Sequence, residues 1–370
     1  MERYDLAVVG GSFAGLAAAG AATSRGLSAA VFDRRLAPGH CPNTTGILVK
    51  ELADEWDVPR SLTRKISGVR LYGPSLRSVD LTSPGYYFLA TDIRGLLHWW
   101  AEEARRAGVT LKFRNAFAGS SLMNGEVGLR GLDCSARFLI GADGARSSVA
   151  TDQGFGVNRR FLAGVEAEME GVGGVDEDRL HVFLDSKIAP GYIAWVVPGV
   201  NGITQVGMAA VRKHRLDLNV LQDSLGRVFD FSKAKRVGLR AGLIPVGGAV
   251  RRFANERAML IGDAAGWVSP LTAGGIHTAI HYGRLAGVAV TDYLADGGVE
   301  PGHAMRPHIP SYPVKQMMRW AWDYAPPNRV LDWAMGSRVF RAFAQTVFYH
   351  HRGLMTAEAW KDLAMCLRAA

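Results

Sequence analysis

Hydrophobic residues near the start of the chain form two short runs, separated by glycines and an alanine-rich stretch. Residues 4–9 are the first apolar run, and the alanine-rich stretch extends to about residue 24. The second apolar run, residues 27–32, ends at Asp33. Because short apolar runs bounded by turn residues are typical of buried strands, this order predicts a strand, a turn, a helix and a second strand, which is a βαβ unit.

The pattern changes twice along the rest of the chain. Shorter predicted elements, among them a helix at 47–56, are followed from about residue 160 by longer strands typical of a mostly antiparallel sheet. An apolar run at 258–261 and a helical pattern at 275–294 then indicate a return to the first domain. We therefore predict an α/β fold with a Rossmann-type domain, a mostly antiparallel sheet domain and a C-terminal helical segment. The predicted limits are 1–65, 90–155 and 255–300 for the discontinuous Rossmann-type domain, 66–89 and 156–254 for the sheet domain, and 301–370 for the helical segment.

Composition excludes several classes of protein. A chain of 370 residues with 48% hydrophobic and 21% charged residues can bury a large core and is not disordered. The net charge is +9, but the basic residues occur in pairs rather than in the long blocks typical of nucleic-acid binding. A solvated basic surface is the simplest interpretation. The three scattered cysteines, Cys41, Cys134 and Cys366, predict neither a disulfide framework nor a zinc site.

Membrane-spanning segments are not expected from the sequence. No stretch approaches the roughly 18 uncharged apolar residues of a spanning helix. The first apolar run is too short for a secretory signal. We therefore expect a cytoplasmic protein, attached at most to the surface of a membrane.

The turn after the first strand carries a nucleotide-binding pattern, Gly10-Gly11-Ser12-Phe13-Ala14-Gly15. Phosphate oxygens need backbone N–H groups at a helix N-terminus, and glycine permits their close approach. An acidic residue about 20 positions further on, here Asp33, is placed to bind a ribose hydroxyl. The candidate cofactor contacts of this motif are Gly10, Gly11, Ser12, Ala14, Gly15, Asp33 and the adjacent Arg34. An ordinary βαβ turn is the alternative.

Two further motifs follow predicted parallel strands. The first spans residues 141–147 and contains Asp143, and the second spans residues 260–266 and contains Asp263. Each Asp lies at the carboxyl end of its strand, which is the ligand-binding edge of such sheets. Either residue could instead cap a helix. Further candidate contacts in and after the last motif are Gly262, Pro270, Gly274, Gly275 and Ile276.

Together the three motifs resemble the large family of FAD enzymes that includes aromatic hydroxylases, flavin halogenases and geranylgeranyl reductases, over roughly residues 3–300. The resemblance implies FAD as the cofactor, with Asp143 near its pyrophosphate and Asp263 bonded to the ribityl chain. It also implies that Gly274 and Gly275 open a helix toward the flavin, where the helix dipole stabilises negative charge. Arg94 is a candidate for the phosphate-binding Arg of the family, with a solvated helix Arg as the alternative.

Two features are similar to the geranylgeranyl reductase branch of that family. Cys41 follows the second strand, where those reductases carry a cysteine near the substrate cavity, and residues 188–198 resemble their Pro-x-x-Tyr-x-Trp-x-Phe-Pro strand. The resemblance implies Cys41 and Trp195 as candidate catalytic residues. A buried packing residue is the alternative for Cys41, and an ordinary core aromatic for Trp195.

The chain departs from the family pattern in this strand. Tyr192 and Trp195 are three residues apart, so a regular strand places them on opposite faces. The predicted cavity wall is then Ile193, Trp195 and Val197, with Tyr192 retained as a further candidate contact.

The resemblance implies an FAD-dependent reductase that saturates C=C bonds of an isoprenoid or other lipid-like substrate by hydride transfer. The electron donor is expected to be NAD(P)H or ferredoxin, and a basic protein suits an acidic ferredoxin surface. The alternatives are an aromatic monooxygenase, a flavin halogenase with Lys50 as its nearest candidate lysine, and a flavin-bound protein without turnover.

Residues 315–370 are rich in aromatic, methionine and arginine side chains. Such helices suit a membrane interface or a lid over a lipid-like substrate, and a helical cap packed on the domain junction is the alternative. The apolar residues are Met317, Met318, Trp320, Trp322, Trp333, Phe340, Phe343, Phe348 and Trp360, and the basic residues are Arg319, Arg329, Arg338, Arg341, Arg352 and Arg368.

Overall fold

The computed structural model describes residues 1–349, and the chain divides into two compact units. Of the described residues, the first unit comprises 1–42, 93–160 and 244–312, and the second comprises 43–92, 161–243 and 313–349. These units are defined by compactness and not by function. The predicted limits of the Rossmann-type domain, the sheet domain and the helical segment therefore stay a prediction. The predictions that concern Arg352, Trp360, Cys366 and Arg368 lie outside the described residues.

The strands differ in length, and the three longest are β12, β15 and β16. They are β1 (Glu2–Val9), β2 (Ala29–Asp33), β3 (Ile47–Val49), β4 (Thr63–Ile66), β5 (Gly68–Tyr72), β6 (Ser78–Thr82), β7 (Phe88–Thr91), β8 (Thr110–Phe113), β9 (Ser120–Met123), β10 (Glu126–Leu129), β11 (Cys134–Gly141), β12 (Phe161–Glu170), β13 (Arg179–Phe183), β14 (Ala194–Pro198), β15 (Ile203–Val211), β16 (Lys235–Pro245), β17 (Ala254–Asn255) and β18 (Ala258–Leu260).

Five of the ten described helices follow residue 275. They are α1 (Phe13–Thr23), α2 (Lys50–Glu55), α3 (Ile93–Arg106), α4 (Ser148–Asp152), α5 (Leu218–Leu225), α6 (Ile276–Asp296), α7 (Pro301–Met305), α8 (Pro313–Trp322), α9 (Asn328–Met335) and α10 (Arg338–Tyr349), with 3₁₀ turns at Arg60–Leu62, Gly262–Ala265 and Arg306–His308.

The first unit is built on a mainly parallel sheet of strand order β17-β18-β11-β1-β2-β8. In its centre Val9 of β1 is paired with Gly141 of β11, which is paired with Leu260 of β18. The three strands therefore end at the same level, and the turns that follow them leave the same edge of the sheet. Helix α1 packs closely on α6, where Gly283 lies against the backbone of Ala14.

The second unit is built on a seven-stranded sheet of order β16-β12-β15-β14-β13-β5-β6, in which β5 and β13 are parallel and β12, β15, β14 and β13 run antiparallel in turn. A separate three-stranded sheet has the order β3-β7-β4. Helices α9 and α10 contribute Leu331, Met335 and Tyr349 to the core on one face of the large sheet. The C-terminal helices are therefore part of the core of this unit.

Two predicted elements differ from the structure. The helix predicted at 47–56 begins only at Lys50, because Ile47–Val49 is an extended segment that pairs with β7. The strand predicted at 192–197 begins only at Ala194, because Gly191 has a φ of 73° and Tyr192 closes a turn with its N–H bonded to the carbonyl of Ala189 at 3.0 Å. Strand alternation therefore does not determine where the side chain of Tyr192 points.

Candidate functional site

The three motif turns lie side by side at one edge of the parallel sheet. Each begins with a backbone bond to the neighbouring strand: Gly10 N–H to the carbonyl of Phe32 at 2.8 Å, Ala142 N–H to Val9 at 2.7 Å and Ile261 N–H to Gly141 at 3.0 Å. The turns continue the pairing of the strands below them. The fold thus brings together three motifs that lie more than a hundred residues apart in sequence.

The first turn is tight enough to require glycine at two positions. A Cβ at Gly10, whose φ is 114°, would lie 2.2 Å from the carbonyl oxygen of Ala142. A Cβ at Gly15 would lie 1.9 Å from the carbonyl oxygen of Gly10. Helix α1 follows Ser12, whose side chain makes no capping bond, so its first N–H groups and the positive end of its dipole are available to an anion.

Asp33 stabilises this turn from the end of β2. Its carboxylate is buried and accepts hydrogen bonds from the N–H groups of Gly11 and Arg35, each at 2.7 Å. The predicted contact Arg34 is exposed, whereas the guanidinium of Arg35 lies 3.5 Å from the Asp33 carboxylate. Sequence reasoning missed Arg35. Its position two residues after an Asp at a strand end was the available signal.

Asp143 caps a helix in the second motif. Its carboxylate accepts bonds from Ser147 Oγ at 2.5 Å and from the N–H groups of Ser148 and Val149 at 2.6 and 3.2 Å. Burial raises the pKa of Asp143, and these three bonds oppose that shift. Asp143 therefore makes the helix-capping contacts that the sequence analysis gave as the alternative. The proximity of Asp143 to a cofactor stays a prediction.

Asp263, in the third motif, is a carboxylate in a poorly solvated position. Burial raises the pKa of Asp263 to about 6. One carboxylate oxygen would lie 3.5 Å from a Cβ placed on Gly275, the residue that precedes α6 and provides no side-chain cap for it. A partly buried, poorly solvated carboxylate beside an uncapped helix N-terminus is suited to accept hydrogen bonds from ligand hydroxyls.

Asn158 connects the second and third turns and was missed by sequence reasoning. Its Nδ2 donates to the carbonyl of Ala145 at 3.2 Å and to the carbonyl of Asp263 at 2.8 Å. No local pattern marks an Asn in this position, because its partners lie 13 and 105 residues away. Asn158 therefore fixes the spacing of the two loops that carry the candidate aspartates.

The remaining candidates of the first unit differ in their exposure to solvent, and Arg94 and Cys41 are exposed. Arg94 lies on the surface of α3, and its backbone packs against Gly39, where a Cβ would lie 2.6 Å from the Arg94 carbonyl oxygen. Cys41 has an exposed thiol and a left-handed backbone with a φ of 49°. Cys41 is thus not the buried packing residue considered as an alternative. Pro270 is buried, and Ile276 is the first residue of α6.

The predicted wall residues of the second unit lie on one face of its large sheet. Val197 is buried in the core of that face, and Ile193 and Trp195 are partly buried against it. Tyr192 lies in the preceding turn, with its ring centroid 5.9 Å from the guanidinium of Arg319. Burial raises the pKa of Tyr192, which keeps its phenol neutral.

Lys50, the candidate for halogenase chemistry, is bound locally. Its ammonium forms an ion pair with Asp54 one helical turn further along α2, and it lies 5.5 Å from the centre of the Tyr87 ring. The ion pair raises the pKa of Lys50, so the group stays protonated.

Comparison with known sequences identifies reductases. The chain is 28% identical over 313 residues to digeranylgeranylglycerophospholipid reductase 2 of Methanothermobacter thermautotrophicus, covering 80% of both chains. It is 29% identical over 320 residues to reductase 1 of the same organism, covering 81% of this chain and 80% of the relative. No family model matches the chain.

Comparison with solved structures identifies the fold. A geranylgeranyl bacteriochlorophyll reductase-like protein from Thermoplasma acidophilum superposes with a TM-score of 0.82 at 24% identity, covering 98% of this chain and 96% of that one. The myxobacterial FAD-dependent halogenase CndH superposes with a TM-score of 0.70 at 18% identity, covering 99% and 97%.

The predicted α/β fold and the predicted resemblance are both confirmed by these comparisons. The fold is that of FAD-dependent enzymes, and the relatives in sequence are named as reductases of digeranylgeranyl lipids. The chain is therefore an oxidoreductase that resembles the geranylgeranyl reductase family.

Proposed function

We propose that this protein is an FAD-dependent reductase that saturates C=C bonds in the isoprenoid chains of a lipid. The observation that carries the proposal is the alignment of three nucleotide-binding turns at one sheet edge, in a chain whose sequence relatives are named as digeranylgeranylglycerophospholipid reductases. The names of the relatives support an isoprenoid lipid as the substrate, and the three turns support FAD as the cofactor.

The residues at the sheet edge fit FAD. Gly10 and Gly15 allow the tight turn that leads into α1, and the first N–H groups of α1, which have no side-chain cap, would bind a pyrophosphate. Asp33, at the end of β2, would bind a ribose hydroxyl. The partly buried carboxylate of Asp263 gains hydrogen bonds if ribityl hydroxyls donate to it, which offsets its desolvation.

Bound FAD would supply the hydride for one carbon of the double bond. The apolar side chains of Ile193, Trp195 and Val197 would bind the isoprenoid chain and exclude water, so that geometry supplies much of the rate. We assign delivery of a proton to the other carbon to the exposed Cys41, from its Sγ. NAD(P)H or ferredoxin would return electrons to the cofactor.

An anaerobic turnover experiment tests this function. The photoreduced protein is mixed with a digeranylgeranyl glycerophospholipid without oxygen, and both flavin absorbance and lipid mass are followed. We expect the flavin to reoxidise and each product to carry a pair of added hydrogens per saturated bond. Strict dependence on oxygen with a hydroxylated product would instead identify a monooxygenase, and a halogenated product a halogenase. The absence of turnover with any acceptor would identify a non-catalytic flavoprotein.

We further propose that the C-terminal helices contact a membrane surface, where such a lipid resides. Large apolar side chains on α8, α9 and the loop between them are exposed, including Trp320 (57%), Tyr324 (73%) and Trp333 (77%). Exposed arginines accompany them, among them Arg329 and Arg338. Aromatic and basic side chains on amphipathic helices suit an anionic interface. Within residues 1–349, no helix has the length and apolarity needed to cross a bilayer.

Replacing both Trp320 and Trp333 with Ala is expected to weaken binding to vesicles of anionic phospholipid by about tenfold or more, because two exposed indoles lose their apolar contact with the interface. Sedimentation with vesicles measures the effect. Leu122, an exposed residue (70%) on β9 of the first unit, provides the control. Its replacement with Ala should leave vesicle binding unchanged, and equal binding by the double variant would exclude this surface.

A further inference from the structure

Trp195 is held in place by groups that the sequence did not connect with it. In the large sheet Trp195 of β14 is paired with Gly207 of β15, and Gly207 is paired with Glu166 of β12. The three residues form one row across neighbouring strands, and side chains in such a row lie on the same face of a sheet. Glycine at the central position leaves the space between Trp195 and Glu166 open.

The indole of Trp195 occupies the space above Gly207. A Cβ on Gly207 would lie 2.6 Å from the ring atoms Cε2 and Cζ2 and 2.8 Å from Nε1. Real Cβ atoms do not approach other atoms so closely, so the ring lies flat against the backbone of β15. The orientation of this ring requires glycine at position 207.

The indole N–H points at a buried carboxylate. Nε1 of Trp195 donates to Oε2 of Glu166 at 2.6 Å, and Thr45 Oγ1 donates to the same oxygen at 2.5 Å. The other oxygen accepts a bond from Arg240 Nε at 2.6 Å, and a second nitrogen of Arg240 lies 3.1 Å from Glu168. The side chains of Glu166 and Arg240 are 4% and 6% exposed.

A buried ion pair of this kind needs an explanation other than stability. Desolvation of two charges commonly cancels their attraction, so an apolar pair of similar volume serves stability equally well. Here the pair has a specific geometric consequence, because it fixes a charged acceptor at the N–H edge of one indole. Charge-assisted hydrogen bonds are stronger and more directional than neutral ones.

We infer that Glu166, held by Arg240, is a positioning residue that fixes the indole of Trp195 as a rigid wall against which the isoprenoid chain aligns. The inference rests on the proposed function and adds residues on three further strands to it. Its chemical consequence is selectivity: a fixed ring plane determines which double bond of the chain is presented for reduction.

The first test compares Glu166→Gln with Gly207→Ala. Glu166→Gln weakens the acceptor of the indole hydrogen bond. Gly207→Ala displaces the Trp195 ring without altering the ion pair. If Glu166→Gln fails to fold, Gly207→Ala still tests the inference. With rates normalised to FAD content, each variant is expected to lower kcat for the digeranylgeranyl lipid by about tenfold or more, with a smaller change in KM. Glu170→Gln, at the exposed end of β12, is the control and should behave as the parent.

A double-mutant cycle separates positioning from general damage. If Glu166 acts through the indole, Glu166→Gln should have little further effect in a Trp195→Phe background, which lacks the N–H. The indole N–H resonance of Trp195, assigned by its loss in Trp195→Phe, should shift upfield and exchange faster in Glu166→Gln. This NMR readout does not depend on turnover.

The outcomes distinguish a failure of the proposed function from a failure of the role assigned to Glu166. No turnover of prenyl lipid by the parent protein would contradict the proposed function. If the parent protein turns over normally, any one of three results would overturn the positioning role alone. These are an unchanged kcat in Glu166→Gln and Gly207→Ala, additive effects in the double-mutant cycle, and an unshifted indole resonance in Glu166→Gln.

Discussion

Replacing Gly15 with Ala is expected to abolish FAD loading and to lower stability by about 3 kcal/mol or more. The added Cβ would lie 1.9 Å from the carbonyl oxygen of Gly10, which is backbone and cannot rotate away. Relief requires the turn to open, but Gly10 itself lies against Ala142, so the second turn would have to move as well. Overpacking at side chains costs about 1–3 kcal/mol, and a clash with fixed backbone costs more.

Gly20→Ala provides the matched control in the same helix. Gly20 also lies within α1, but a Cβ there would have no neighbouring atom within 4 Å. Ala is favoured over Gly in a helix interior by about 1 kcal/mol, so this variant should be slightly stabilised and load FAD normally. Absorbance at the flavin band and thermal unfolding of the purified variants measure both effects. Parental FAD content in Gly15→Ala would contradict the assignment of this turn.

Asp263→Asn is expected to stabilise the FAD-free protein while weakening FAD binding. In the folded state the pKa of Asp263 is about 6, against 3.8 for the unfolded reference. The folded protein therefore binds more protons between these values, so its stability falls as the pH rises from about 4 to 6 and stays lower above that. The difference between the two pKa values corresponds to a loss of at most about 3 kcal/mol in the free energy of unfolding. Asn has no charge and therefore avoids this loss.

The same substitution removes a charged acceptor from the proposed ribityl contact. A hydrogen bond to a charged group contributes about 1.5–3 kcal/mol, so the dissociation constant for FAD should rise roughly tenfold to hundredfold at pH 8. FAD titration, with thermal unfolding of the FAD-free protein at pH 4 and pH 8, measures both halves. Asp133→Asn, at a side chain that is 90% exposed, is the control. Equal FAD affinity in Asp263→Asn and the parent would exclude this contact.

Local sequence patterns correctly predicted the strand, turn and helix around the first motif. A strand, a glycine-rich turn and a helix are determined by interactions between residues close in sequence, so the turn before α1 was predicted from the pattern around Gly10 and Gly15. Patterns failed where a distant pairing decides the local structure. Residues 47–49 are apolar enough for either a helix or a strand, and their pairing with β7 makes them extended.

The residues that sequence reasoning missed all act over long separations. Asn158 joins Ala145 to Asp263, and Glu166 accepts a bond from Trp195, 29 residues further along the chain. An isolated Asn or Glu carries no signal for such a role, because the same residue types are also common on solvated surfaces. Only the register of the sheet brings Glu166, Gly207 and Trp195 into one row.

The sequence by itself determined the fold class, the three motif turns and the resemblance to prenyl-lipid reductases, because each depends on short motifs with a characteristic spacing. Tertiary structure alone decided that Asp143 caps α4, that Tyr192 lies in a turn, and that a buried ion pair fixes the indole of Trp195. These features depend on which backbone segments are paired and on which charged groups are desolvated. Both are properties of the folded chain rather than of any local pattern.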